Sequence, residues 1–305
     1  MIRIGTSGFS YDDWVGRFYP PDLPRREWLS YYARHFPTVE INSTYYRIPS
    51  PTTFEQMARR VPASFDFVVK AHRDLTHSGE YRPDVFAAFR EATAPLRDHG
   101  KLACVLAQFP WSFHYRDENL DYLARLRDEL VPMATVIEFR NREWVRDDVF
   151  DTLAALGLGF CCVDEPRLEG LMPPICRATA SIGYVRFHGR NAAKWWHHEH
   201  AYERYDYRYT EAELREWLPC LERLESETER VYVFFNNHYL GQAGDNARML
   251  AQLLQHPLPF PAEEAPPAAG VQAAFDFADD APGTEGSPSH GGGVNGAPPR
   301  AQKMR

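Results

Sequence analysis

Four pairs of polar residues sit two apart within runs that otherwise read as buried β-strands: Glu40 and Asn42, Lys70 and His72, Glu138 and Arg140, Arg186 and His188. Residues two apart on a strand project from one face, so each pair aims its functional groups in one direction. Their chemistry is complementary. Lys70, Arg140 and Arg186, with Arg190 just beyond, supply cations for a carboxylate or phosphate, and His188 changes charge near neutral pH. Glu138 or Glu40 is suited to moving a proton, with His188 as the alternative shuttle, while Asn42 and Asn236 would orient a bound molecule. The competing reading is a buried ion network without chemical role, pairing Glu40 with Arg186 or Glu138 with Lys70.

These residues need elements that bring them together. Eight β-branched and aromatic runs recur along the chain: 2–6, 38–42, 65–70, 102–109, 135–140, 158–164, 183–189 and 231–237. Most gaps between them carry helical patterns. Thr52 with Glu55 and Thr210 with Glu213 have capping-box spacing, and Pro83 suits a first helical turn. The sixth connection, "EPRLEGLMPPICRATA", holds three prolines and predicts no helix. Alternating strands and helices imply a parallel sheet, and eight strands predict closure into a (β/α)₈ TIM-type barrel over residues 1–256, with an open doubly wound sheet as the alternative. In a barrel every strand's carboxyl end opens at one mouth. Ser7, Gln108 and Asp164 would then join the four pairs where barrel enzymes place their chemistry.

Composition bounds the setting. The chain has 305 residues, 44% hydrophobic and 25% charged, enough to bury one large core. From Pro257 to residue 305 it turns rich in Pro, Gly and Ala, which predicts a disordered tail. The amino-terminal stretch passes straight into strand-like sequence without a signal or membrane-spanning segment, so a cytoplasmic protein is expected. Five scattered cysteines form neither a disulfide framework nor a zinc pair and are read as reduced, mostly buried thiols. A formal net charge of −8 argues against a broadly basic surface for nucleic acid.

Further constellations modify the picture. Gly241 and Gly244 precede a helix expected from about Asp245, a place where barrels hold phosphate on backbone N–H groups. No cofactor is required by the sequence, although Glu40, Glu138, Asp164 and His188 are the residues a divalent metal would use, and "WWHHEH" (195–200) adds three histidines without motif spacing. Trp14, Tyr45, Tyr46, Trp111, Trp144, Trp195 and Trp196 follow strand ends and are candidates for stacking a ring or for packing loops onto the rim. Carboxylates beside aromatics also suit glycoside hydrolysis, whose outcome depends on a separation that sequence does not supply. In the tail, Gln272, Phe275 and Phe277 are imperfectly similar to the glutamine-plus-hydrophobic peptides by which bacterial proteins dock on the DNA sliding clamp.

Several long stretches, "GTSGFSYDDWVGRFYP", "TVEINSTYYRIP", "FVVKAHRDLTH", "IEFRNREW", "YVRFHGR" and "FFNNHYLGQAGDNA", resemble the successive signatures of the YecE-like family, domain of unknown function 72. The resemblance is collinear from Ile2 to about Leu254 and implies a TIM-type barrel without an established reaction. The positions it carries over are Glu40, Asn42, Tyr45, Lys70, His77, Glu138, Arg140, Arg186, His188, Asn236 and Asn237. His238 departs from the family's usual acidic or amide residue and is assigned no role. The reading is an enzyme, of hydrolase or lyase type, acting by acid–base chemistry on a small phosphate- or carboxylate-bearing molecule. Its alternatives are a metal-assisted phosphodiester hydrolase acting on nucleic acid and a non-catalytic anion-binding protein.

Overall fold

The computed structural model describes residues 1–256 and Leu258. The expected tail, including Gln272, Phe275 and Phe277, lies outside the described residues. Eight parallel strands close in chain order, each pairing with the next and the last with the first. They are β1 (Ile2–Ser7), β2 (Thr38–Ile41), β3 (Asp66–Lys70), β4 (Leu102–Gln108), β5 (Thr135–Glu138), β6 (Gly159–Asp164), β7 (Ile182–Phe187) and β8 (Arg230–Phe235). Helices α1 (Trp28–Tyr32), α2 (Pro51–Arg59), α3 (Pro83–Asp98), α4 (Asp117–Leu130) and α5 (Asp147–Leu156) follow the first five strands in turn. After β7 come α6 (Glu211–Arg215) and α7 (Leu218–Glu227), and after β8 comes α8 (Gln242–Leu253). Between β6 and β7 the described residues contain no helix, as the proline-rich connection predicts.

Local signals account for most helix starts. Pro83 opens α3 at a position where its missing N–H costs nothing. Thr210 and Glu213 cap α6 reciprocally. At α2 the expected box fails: Pro51 starts the helix one residue before Thr52, and Glu55 is drawn instead to Arg59 and His99. Helix α8 begins at Gln242 rather than near Asp245, because Tyr239–Gly241 form a short 3₁₀ turn that leads directly into it.

Register decides which side chains enter the barrel, since in-register neighbours on adjacent strands project to the same side. The pairs Ser7↔Glu40, Glu40↔Val68, Lys70↔Leu106, Gln108↔Glu138, Val163↔Arg186 and Arg186↔Phe234 follow one inner surface. Near the amino ends of the strands this interior holds Asp66, which pairs with Arg3 at 2.8 Å and accepts from the Tyr232 hydroxyl at 2.7 Å. Val68, Cys104, Val136, Cys161 and Phe234 fill the middle with apolar volume, alongside Tyr184. The other parity, including Ile4, Val39, Val69, Val105, Ile137, Val185 and Val233, is buried between the sheet and its helices.

Cysteine placement corrects one expectation. Cys104, Cys161 and Cys162 are buried thiols, but Cys176 and Cys220 form a disulfide that ties the helix-less connection to α7. The two lie 44 residues apart with Cα atoms 5.6 Å from each other, a proximity created by the fold and invisible in spacing. Among the described residues no helix is long and apolar enough to cross a membrane.

The backbones of β1 and β2 approach closely, so that a Cβ on Gly5 would overlap the Thr38 carbonyl oxygen. Replacing Gly5 with Ala is therefore expected to destabilise the barrel by about 3 kcal/mol, the upper end for overpacking. A urea unfolding midpoint equal to that of the parent would show that the two strands have room to separate.

Candidate functional site

Arg186, on β7, is 1% exposed and lies at the centre of the polar layer. Its Nη1 donates to Glu138 Oε2 and its Nη2 to Glu40 Oε1, both at 2.6 Å. The same Nη2 reaches Ser7 Oγ at 3.4 Å, and the Tyr184 hydroxyl donates to Glu40 Oε2 at 2.6 Å. Three strands, β2, β5 and β7, are thus joined through one guanidinium. Glu138 Oε1 continues the chain, lying 2.7 Å from Arg140 Nε and 3.0 Å from His188 Nε2. Arg140 then donates from Nη1 to Glu165 Oε2 at 3.2 Å, and Glu165 Oε1 accepts the Met172 amide at 2.9 Å. A buried carboxylate survives without water only when its oxygens are supplied with donors, and each of these is.

The electrostatics follow from those contacts. Burial would raise the Glu138 carboxyl, but Arg186, Arg140 and His188 overcome it and hold the group well below the usual carboxylate range. Burial likewise works against the charge on Arg186, while Glu138 and Glu40 keep it firmly protonated. His188 goes the other way: burial, reinforced by Arg140, pushes it down to about 3 despite the pull of Glu138. Its tautomer is set by its neighbours. Asn236 Nδ2 faces Nδ1 at 3.1 Å and can only donate, so Nε2 carries the hydrogen given to Glu138.

Above this network Lys70 and Gln108 end β3 and β4, while Asn42, Arg140, His188 and Asn236 follow the ends of β2, β5, β7 and β8. Lys70 Nζ lies 4.3 Å from the centre of the Tyr45 ring, which meets His77 edge-on at 5.1 Å. Gln108 is fully buried and donates from Nε2 to the Phe109 carbonyl at 2.9 Å, leaving its Oε1 without a hydrogen-bond donor. Asn42 Oδ1 is unpartnered as well. In the sequence Gln108 is one polar strand end among several. Its register opposite Glu138 is what places it in the site.

Other expected members point elsewhere. Asp164 has the outward parity of β6, where it accepts from Arg190 Nε at 2.8 Å and Nη2 at 2.7 Å, from the Tyr209 hydroxyl at 2.7 Å and from Trp217 Nε1 at 2.7 Å. Arg190 also reaches Glu216 at 2.8 Å, so it clamps the β7 connection to the helices and does not face the mouth. Gly189, at φ 89°, turns the chain between His188 and Arg190 and ends the alternation that spacing suggested. Asn237 also faces outward, donating to the Tyr207 carbonyl at 2.7 Å and to Asn246 Oδ1 at 2.9 Å. At the expected phosphate subsite before α8, the Leu240 amide donates instead to Asp13 Oδ2 at 2.6 Å.

For a metal, the carboxylates expected to bind it are engaged by arginine: Glu40 and Glu138 by Arg186, and Asp164 by Arg190. Among the described residues the grouping with metal-ligand proximity is Glu199, His200 and Glu203, in the β7–β8 connection, where Lys194 already pairs with Glu203 at 2.6 Å.

Comparison with known proteins places this geometry in context. A family model described as "Protein of unknown function DUF72" matches residues 3–269. The UPF0759 protein YunF of Bacillus subtilis is 34% identical over 270 residues, covering 83% of this chain and 95% of that protein. The crystal structure of a DUF72 family protein from Thermotoga maritima superposes with a TM-score of 0.77 at 38% identity, covering 84% of this chain and 100% of that one. A DUF72 family protein from Enterococcus faecalis gives a TM-score of 0.76 at 29% identity, covering 85% and 97%.

Two outcomes follow from the network. Arg186→Ala leaves two buried carboxylates uncompensated and is expected to cost about 3–5 kcal/mol in chemical denaturation; a loss below about 1 kcal/mol would show that water replaces the guanidinium. His188 gives a pH signature. Its folded value of about 3 lies below its ordinary 6.5, so between those limits the unfolded chain binds the extra proton. Its contribution to stability is complete above pH 6.5 and declines as pH falls toward 3, by up to about 1.4 kcal/mol per pH unit. Comparing His188→Gln with the parent between pH 6 and 5, above the carboxylate range, should show a slope smaller by about one proton. Equal slopes would mean that His188 is not held neutral.

Proposed function

The chain belongs to the DUF72 family, and we propose that its barrel mouth binds a small carboxylate- or phosphate-bearing molecule on Lys70 and Arg140. The observation that carries this reading is the setting of Arg140. It stands at the mouth end of β5 with Glu138 at 2.7 Å and Glu165 at 3.2 Å fixing its guanidinium. A cation immobilised before the ligand arrives loses little further conformational freedom on binding. Lys70 brings a second cation from β3, Asn42 and Gln108 supply orienting amides from the flanking β2 and β4, and Asn236 adds another after β8.

Hydrolase or lyase chemistry on such a molecule rests, in this reading, on electrostatic stabilisation of developing negative charge by Arg140 and Lys70. Glu138 and Glu40 then act as fixed charges that hold the arginines. A carboxylate kept ionised by neighbouring cations has little tendency to take up a proton near neutral pH, and His188 has its Nδ1 and Nε2 engaged by Asn236 and Glu138. The phosphodiester alternative would need acidic ligands for a metal, and the inward acids are held by Arg186 and Arg140.

Calorimetric titration with inorganic phosphate and with succinate tests the binding step. The parent is expected to bind at least one of the two, and Lys70→Gln to weaken that binding about tenfold, equivalent to about 1.4 kcal/mol. Unchanged affinity in Lys70→Gln, or no heat from either anion, overturns the proposal.

A further inference from the structure

We infer that the molecule bound at this mouth carries a hydroxyl or amino donor close to its anionic group, a substrate class that rests on the anion-binding reading above. The starting point is Gln108. Its backbone is fixed by pairing with β5, its side chain is fully buried on the inner surface beside Glu138, and one N–H of its Nε2 is given to the Phe109 carbonyl. That bond sets the amide orientation and leaves Oε1 as a buried acceptor without a donor. A buried acceptor left unsatisfied is costly, and a ligand O–H or N–H would recover that cost.

A second acceptor makes the pattern directional. Asn42 Oδ1, just past the end of β2, is also unpartnered, and β3 with Lys70 runs between β2 and β4. From β2 to β4 the strand ends therefore carry an unpartnered acceptor, a cation and a second unpartnered acceptor. A bare dicarboxylate or inorganic phosphate answers only the cation. A 2-hydroxy or 2-amino carboxylate, or a hydroxyalkyl phosphate, answers the cation and at least one acceptor. A site built to receive a hydrogen bond discriminates strongly against the analogue that lacks the donor, because the acceptor is then left buried and unpaired.

Matched probes read this preference directly. The full chain would be titrated with succinate, L-malate and L-aspartate, and with propyl phosphate and sn-glycerol 3-phosphate. The expected result is at least tenfold tighter binding of a donor-bearing member than of its donor-less twin, with malate and aspartate separating hydroxyl from amine. In Gln108→Leu, checked for folding by circular dichroism, that ratio should fall at least threefold toward unity. Equal affinity within both sets overturns the inference while leaving the anion site standing. A ratio that survives in Gln108→Leu overturns it too, by removing the residue that carries it. Failure of every probe to bind overturns the anion-binding reading, and this inference with it.

Discussion

Arg186 is the charge on which the upper half of the barrel depends. A guanidinium that is 1% exposed can remain inside a protein only if carboxylates meet it, and here they arrive from two other strands, Glu40 on β2 and Glu138 on β5. The consequence is geometric as much as energetic. Apolar side chains of matching volume would hold these strands together at least as firmly, but they would not fix the direction of any neighbouring charge. The planar guanidinium does, because its two donor edges accept only one arrangement of partners.

That arrangement propagates upward. Glu138 turns one oxygen to Arg186 and the other to Arg140 and His188, so the buried layer sets the position of the mouth layer. His188 in turn engages Asn236, and Arg140 engages Glu165, whose second oxygen holds the Met172 amide in the helix-less sixth connection. The buried ion network expected from the sequence is present, and the strand-end residues proposed to bind an anion lie above it. The ionic groups nearest the barrel centre satisfy one another, and the groups above them take their orientation from that settlement.

Much of this was legible before any coordinates. Eight apolar runs gave the strands to within two residues at their ends, the prolines of the sixth connection marked the missing helix, and two-residue spacing paired Glu138 with Arg140 and Arg186 with His188. Parity was harder. "FCCVD" in β6 and "VYVFF" in β8 are apolar on both faces, as central strands of a parallel barrel must be, so they offer no alternation to show that Asp164 and Asn237 face outward. Arg190 has the inward spacing relative to His188, but Gly189 redirects the chain between them. Gln108 is placed at the mouth by its strand-end position in "LACVLAQF", but nothing in the sequence shows that its oxygen lacks a donor. The Cys176–Cys220 link required the tertiary fold itself.

If the network fixes Glu138 and His188 as proposed, neither exchanges protons with a ligand near neutral pH. Side-chain ¹⁵N spectra of the histidines, with His188 assigned through His188→Gln, test this most directly. The expected result is a neutral His188 ring with hydrogen on Nε2 and none on Nδ1, unchanged from roughly pH 8 to pH 5. A His188 signal that titrates in that interval, with a midpoint near the ordinary 6.5, would contradict it and return His188 to the role of proton shuttle.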